Sequence, residues 1–285
     1  MHQRLVATLA MALGLTVLAG CGNQQISTSK KNYAADGMVA VIKGTAPSKA
    51  QITAQVGQNN SQRVTNHDGN FVYTVAPSAQ PQKVVFKAGS SQRTVTVAAS
   101  QSFGAYTKFA AKYNMILFQM AQQAQAKAKG KGTSQAEQAA AQKKQQAAIA
   151  AMPKAAQAAL QAKLQAQANQ TPGAFPAAGQ EGIHNVLKAQ GNTVRTNVQD
   201  GQLIGATFMT PVKTLKDKKK AAVFAQQFAL LASTLGADAK SVMKDFQKQS
   251  KDSQNGQTTM KTIVSNKVRF DVGFSPDTLY IYITR

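Results

Sequence analysis

The chain's only thiol, Cys21, directly follows Leu18-Ala19-Gly20 at the end of an apolar run that starts at Leu5. Arg4 precedes that run, and Leu5 to Ala19 has the length of a signal-peptide apolar core. The run is too short to span a membrane and stops abruptly at Gly22-Asn23-Gln24-Gln25. The small residues before Cys21 read as a cleavage site, so the one sulfur nucleophile stands just after it. The remaining chemistry is sparse. His2 belongs to the leader, His67 falls in a tight turn beside Asp68, and His184 lies on a short helix expected from Ile183 to Gln190. His67 and His184 read as surface or capping residues. The only glutamates, Glu137 and Glu181, sit in or beside polar segments. The sequence contains no Gly-x-Ser-x-Gly, no His-Glu-x-x-His, no phosphate-binding glycine loop and no paired metal-ligand spacing. This inventory points away from an enzyme, and it calls for no cofactor and no metal.

Leu18-Ala19-Gly20-Cys21 resembles the lipobox of bacterial lipoproteins. In that family the cysteine thiol takes a diacylglyceryl group and a dedicated signal peptidase cuts before it. The resemblance implies that residues 1–20 are a lipoprotein signal peptide and that Cys21 opens the mature chain. Lipid on Cys21 would hold the protein at the extracytoplasmic face of a bacterial membrane. Two acyl chains make a lasting anchor, where one gives only marginal, reversible binding. With no cysteine after Cys21, the exported part has no disulfide.

The chain carries 33 basic and 11 acidic residues, a formal charge of +22. The excess is spread throughout: residues 22–104 hold 8 basic and 2 acidic residues, 105–172 hold 9 and 1, and 173–285 hold 15 and 8. Such a field attracts anionic polymers. For an exported protein these are anionic lipid head groups and teichoic-acid-like wall polymers. Nucleic acid is an unsuitable partner, because tryptophan is absent, aromatics are few and no nucleic-acid-binding signature occurs.

Three structural regions follow a polar tether at 21–36. Residues 37–100 contain six short β-branched or apolar runs separated by turn signals, which predict an antiparallel β-sandwich. Phe71, Tyr73, Val84 and Phe86 are its candidate core. Asp68-Gly69-Asn70-Phe71-Val72-Tyr73, with Gly44-Thr45-Ala46-Pro47 upstream, resembles small bacterial Ig-like surface domains. From 104 to 170 the period becomes helical, with an apolar stripe of Tyr106, Phe109, Tyr113, Ile116, Leu117 and Met120. Ser134 and Glu137 form a capping-box signal before an Ala/Gln-rich stretch, which Pro153 should divide. That stretch has few apolar anchors, and either projects or packs loosely. Residues 171–182 read as a linker.

Residues 183–285 predict an α+β domain with an antiparallel sheet and helices on one side, in the order β-β-α-α-β-β-β. Asp200-Gly201 marks a hairpin, Thr214 and Asp217 a helix cap, and Asp238 a second cap. Val268, Phe270, Val272 and Phe274 alternate onto one strand face, as do Leu279, Ile281 and Ile283, with Tyr280 and Tyr282 opposite.

Two features could bind a partner. Lys216, Lys218, Lys219 and Lys220 crowd a helix start, either as a solvated face or as an anion patch. Tyr280 and Tyr282, with Arg269 near in sequence, either line an exposed sheet face or lie in the core. The expected protein is therefore a multi-domain, lipid-anchored, non-enzymatic surface lipoprotein. It would contact anionic wall polymer or another envelope protein. The alternatives are a chaperone-like accessory factor using the Ala/Gln-rich arm, and an envelope hydrolase that sets His184 near acidic residues.

Overall fold

A computed structural model describes residues 25–128, 135–254 and 260–285. The expected signal peptide at 1–20, Cys21 and Ser134 lie outside the described residues. The described chain is mixed α/β, with three sheets and six helices.

The N-terminal half holds β1 (Ser27–Thr28), β2 (Asn32–Tyr33), β3 (Ala40–Thr45), β4 (Ile52–Val56), β5 (Gln62–Val64), β6 (Asn70–Val75), β7 (Gln82–Ala88) and β8 (Ser91–Val97). One sheet runs β1-β3-β6 and the other β2-β8-β7-β4-β5. They share one core, in which Ile42, Phe71 and Val75 meet Ile52, Val84, Phe86 and Val97. Phe71 and Phe86 bridge the sheets at a ring separation of 5.1 Å. Gly44 is required by this contact, since a Cβ there would fall 2.3 Å from both the Phe71 ring and the Ser27 carbonyl.

Two expectations need correction here. Residues 26–33 are part of the fold rather than a tether, with β1 paired to β3 and Ile26 and Tyr33 buried. The sheets are also not wholly antiparallel, because β2 runs parallel to β8. Such short strands leave no alternation to read.

The C-terminal half contains α1 (Tyr106–Ala128), α2 (Gln135–Ala150), α3 (Lys154–Asn169), β9 (Gly182–Ala189), β10 (Asn192–Gln199), β11 (Gln202–Pro211), α4 (Val212–Lys216), α5 (Lys218–Thr234), α6 (Ala239–Gln254), β12 (Ile263–Ser265), β13 (Val268–Phe274) and β14 (Thr278–Thr284). Its six strands form one antiparallel sheet, ordered β12-β13-β14-β11-β10-β9. Helices α1, α5 and α6 bury their apolar stripes against one face of it, giving a core built on Tyr113, Phe208, Phe228, Phe270 and Ile281. Burying each such side chain contributes about 1.5–3 kcal/mol.

The helix expected over 183–190 is the edge strand β9, so the order is β-β-β-α-α-α-β-β-β. The cause is a bulge. Val194 pairs Leu187 and Arg195 pairs Asn185, leaving Val186 as the extra residue. Ile183, Val186 and Leu187 therefore mimic helical spacing. The expected run from Val268 to Phe274 fades at its end, where Val272 is half-buried and Phe274 exposed.

The boundary between helical segment and α+β domain also dissolves. Tyr106, Phe109 and Tyr113 of α1 join the same core as the sheet, and so does Phe175 from the segment read as a linker. Phe175 packs edge-on against Phe109 at 5.0 Å and Tyr113 at 4.6 Å. Asn114, fully buried, donates from Nδ2 to Asn169 Oδ1 and to the Phe175 carbonyl, each at 2.9 Å. Its Oδ1 accepts from the Phe175 N–H at 2.7 Å. One side chain thus ties α1, the end of α3 and the loop beyond it. Pro153 divides α2 from α3 as expected, and α3 lies along α1. None of the described α2 side chains is buried.

Burial pushes the Tyr106 and Tyr113 phenols up from 10.0 to about 12. The folded chain therefore holds these protons more tightly than the unfolded chain. Their contribution is intact below pH 10 and is lost as pH rises toward about 12. The denaturation midpoint should fall across that window more steeply in the native chain than in a Tyr106→Phe, Tyr113→Phe variant. Parallel curves would contradict the assignment.

The halves meet around residues 77–79 and 98–104. Gln199 donates from Nε2 to the Pro77 carbonyl at 2.9 Å, and its Oε1 accepts from the Ala79 N–H at 3.3 Å. Phe103 N–H donates to the Leu203 carbonyl at 2.8 Å. Asp36 pairs with Arg269 across the junction. At the other pole, Ile26 N–H donates to Ser91 Oγ, at the start of β8. The described chain thus enters the N-terminal half at the end remote from the sheet-helix half. At about 3.3 Å per residue, β8 alone sets these ends roughly 20 Å apart.

Candidate functional site

The four lysines at the α4–α5 junction are all exposed, and only Lys216 lines a groove there. Asp217 between the helices caps α5, accepting from the Lys219 N–H at 3.0 Å and the Lys220 N–H at 3.2 Å. The Lys220 backbone hydrogen bond leads the effects that hold this carboxyl below its ordinary value. Lys220 Nζ also lies 3.7 Å from the same carboxylate. The helix start is therefore already occupied by an anion of the chain. Lys216 turns with Lys213 toward a shallow groove of about 440 Å³ that also contains Asp277. The Asp277 carboxyl is held low by hydrogen bonds from Ser275 and Thr278, so it competes with any anion entering there. Lys218 and Lys219 do not line that groove.

The structure resolves the two options for the tyrosines. Helices cover the face carrying Leu279, Ile281 and Ile283, while Tyr280 and Tyr282 stand half-buried on the opposite face. Their rings stack at 6.1 Å and 11°. Tyr282 pairs with Asp271 and Thr207 on its neighbouring strands, and Tyr280 with Gly273 and Met209. A Cβ at Gly273 would come within 3.3 Å of Tyr282 Cε2. The Tyr282 ring thus covers a glycine that exposes its strand, a cross-strand arrangement that supports the sheet.

Arg269 shares this face but is engaged elsewhere. Its Nε donates to Asp271 Oδ2 at 2.7 Å, and it pairs with Asp36 of the N-terminal half. Hydrogen bonding to Asp271 is the largest of the effects raising its pKa. It holds the two halves together, so the tyrosines and Arg269 share a face without forming one site.

The other chemistry-bearing residues serve the fold. His184 Nε2 lies 2.7 Å from the Glu181 carbonyl. The Glu181 carboxylate accepts from the backbone N–H groups of Asp200 and Gly201 at 3.0 and 2.8 Å, pinning the β10–β11 hairpin. Asp238 caps α6 through the Lys240 and Ser241 N–H groups. His67 is exposed, and its backbone brackets the Asp68-Gly69 turn. Among the described residues, no group of three His, Cys, Asp or Glu side chains is placed to hold a metal ion. No described helix is long and apolar enough to cross a membrane.

Sequence reasoning missed a cleft at the junction of the halves. It has a volume of about 430 Å³ and is lined by Ser100, Lys267, Arg269, Thr284 and Arg285 among others. These residues are separated by up to 185 positions in the chain, so no local signal announces them. No family model matches the sequence, and no curated protein matches it.

Proposed function

We propose that this chain is a surface lipoprotein, held by lipid on Cys21, whose cationic domains bind anionic polymer of a bacterial envelope. The N-terminal pair of sheets is read as an Ig-like module acting as a spacer. The observation that carries the binding part is how the chain uses its few acids. Glu181, Asp217 and Asp238 serve as backbone caps, and Asp36 and Asp271 hold Arg269. Once Arg4 leaves with residues 1–20, 32 cations stand against 11 acids, so at least 21 cations have no counter-charge of their own. A surface of this kind attracts a polyanion without needing a shaped pocket.

The entry of the chain at the remote pole supports the spacer reading. A lipid on Cys21 would set the N-terminal half nearest the membrane and the sheet-helix half outward. The test is co-sedimentation of the protein with purified teichoic acid across a salt series. Binding at low ionic strength should weaken steeply as salt approaches 1 M, where the screening length shrinks to about 3 Å. Absence of binding at low salt would overturn the polymer reading. The exposure of the described α2 side chains favours the second reading, a chaperone-like accessory factor, which predicts no polymer binding in that assay.

A further inference from the structure

The cleft between the halves carries more specific information than the charged surface. Ala34, Gly37 and Ser100 wall it on the N-terminal side, and Lys267, Thr284 and Arg285 face them from the sheet. Arg269 also lines it, but it pairs with two carboxylates, Asp36 and Asp271, so this trio is net negative and the positive charge of the cleft rests on Lys267 and Arg285. Neither Lys267 nor Arg285 has a carboxylate partner among the described residues. Arg285 instead rests 5.6 Å over the Phe103 ring, with Nη1 3.5 Å from the Ser102 carbonyl. Two buried hydroxyls in the lining, Ser100 Oγ and Thr284 Oγ1, have no hydrogen-bond partner, and Thr284 is only 7% exposed. A buried polar atom is normally satisfied, so these two hydroxyls are unused donors on residues that also line the cleft.

The backbone at Lys267 adds an independent observation. Three two-residue turns place glycine second, each with both residues at positive φ: Asp68-Gly69 (48° and 91°), Gln190-Gly191 (52° and 85°) and Asp200-Gly201 (51° and 68°). Asn266-Lys267, between β12 and β13, takes the same conformation at 51° and 65° with a lysine in the glycine position. A side chain in left-handed backbone is disfavoured, and glycine is the residue such turns favour. The chain accepts that local cost at the one turn whose second residue lines the cleft.

We propose that the cleft binds a phosphate-type oxyanion, with Lys267 and Arg285 supplying charge and the Ser100 and Thr284 hydroxyls donating hydrogen bonds. Several donors on opposing walls suit a group with several acceptor oxygens. The volume accommodates a phosphoester with its organic substituent. This inference does not depend on the wider surface attracting polymer.

The test is calorimetric titration of the purified chain with inorganic phosphate and with glycerol 3-phosphate at constant ionic strength. Saturable binding of at least one probe is expected. Lys267→Gly should weaken it about tenfold, the low end for a lost charge-assisted bond. The same substitution should leave the thermal midpoint unchanged or higher, because it relaxes the turn. Arg285→Gln should weaken binding comparably. Absence of saturable binding to either probe, or unchanged affinity in Lys267→Gly, overturns the proposal.

Competition then identifies the source. Displacement by poly(glycerol phosphate) assigns the site to a wall polymer, displacement by phosphatidylglycerol vesicles to a lipid head group, and displacement by neither to a free phosphoester. Polymer that binds the surface while both small probes fail leaves the surface reading standing and removes the cleft. Probe binding without retention by polymer does the reverse.

Discussion

Replacing Asn114 by alanine is expected to destabilise the C-terminal half by about 3–5 kcal/mol, a large share of the 5–15 kcal/mol that holds an ordinary domain folded. The side chain is fully buried and satisfies both the N–H and the carbonyl of Phe175. Removing it leaves two backbone groups unpaired in the core, each costing about 1–3 kcal/mol, and opens a cavity beside Phe175. Asn114→Asp should be similarly damaging, since a carboxylate keeps the acceptor, loses both donated bonds and buries a charge. Gln165→Ala is the comparison. Gln165 also contacts Asn169, but from a half-buried position, and its loss should cost about 1 kcal/mol or less. Thermal and denaturant unfolding read the difference directly. An Asn114→Ala protein within about 1 kcal/mol of the native chain would show that the loop after α3 is not held in this way.

The second large effect is at the other end of the chain. On the proposed reading, Cys21→Ser abolishes lipid attachment and leaves the twenty leader residues in place. A hydroxyl cannot form the thioether, and in the lipoprotein family cleavage follows lipidation. A radiolabelled fatty acid should therefore enter the native chain and be wholly missing from the variant. The variant should also run heavier by the uncut leader. Ala19→Arg, which places a large charge in the small-residue cleavage region, should likewise reduce processing while leaving Cys21 intact. Equal labelling of native and Cys21→Ser chains would remove the anchor from the account.

What was legible in the sequence was local. Asp217 and Asp238 were readable as caps because a cap needs only the next few residues, and Asp200-Gly201 as a turn because two residues define it. The facing of Leu279, Ile281 and Ile283 away from Tyr280 and Tyr282 followed from strand period alone. Which side the helices would take did not, because that depends on how α1, α5 and α6 reach the sheet. β9 was misread for a physical reason, since the bulge at Val186 gives a strand the spacing of a helix.

Tertiary structure overrode composition elsewhere. Thr171 to Gly179 is rich in proline and glycine, yet Phe175 within it is 1% exposed, because Asn114 lies 61 residues away and pairs with its backbone. The same limit hid the cleft. Nothing in the sequence distinguishes Lys267 from the other lysines, and only the fold brings it into one lining with Ser100. The lysine run at 216–220 was conspicuous because its members are adjacent, but adjacency along a helix start spreads side chains apart.

The sharpest single test is the mass of the N-terminal peptide of the protein purified from cells that express the full chain. The account predicts a peptide that begins at Cys21 and carries a diacylglyceryl group on sulfur. A peptide that begins elsewhere, or one with a free Cys21 thiol, would contradict it.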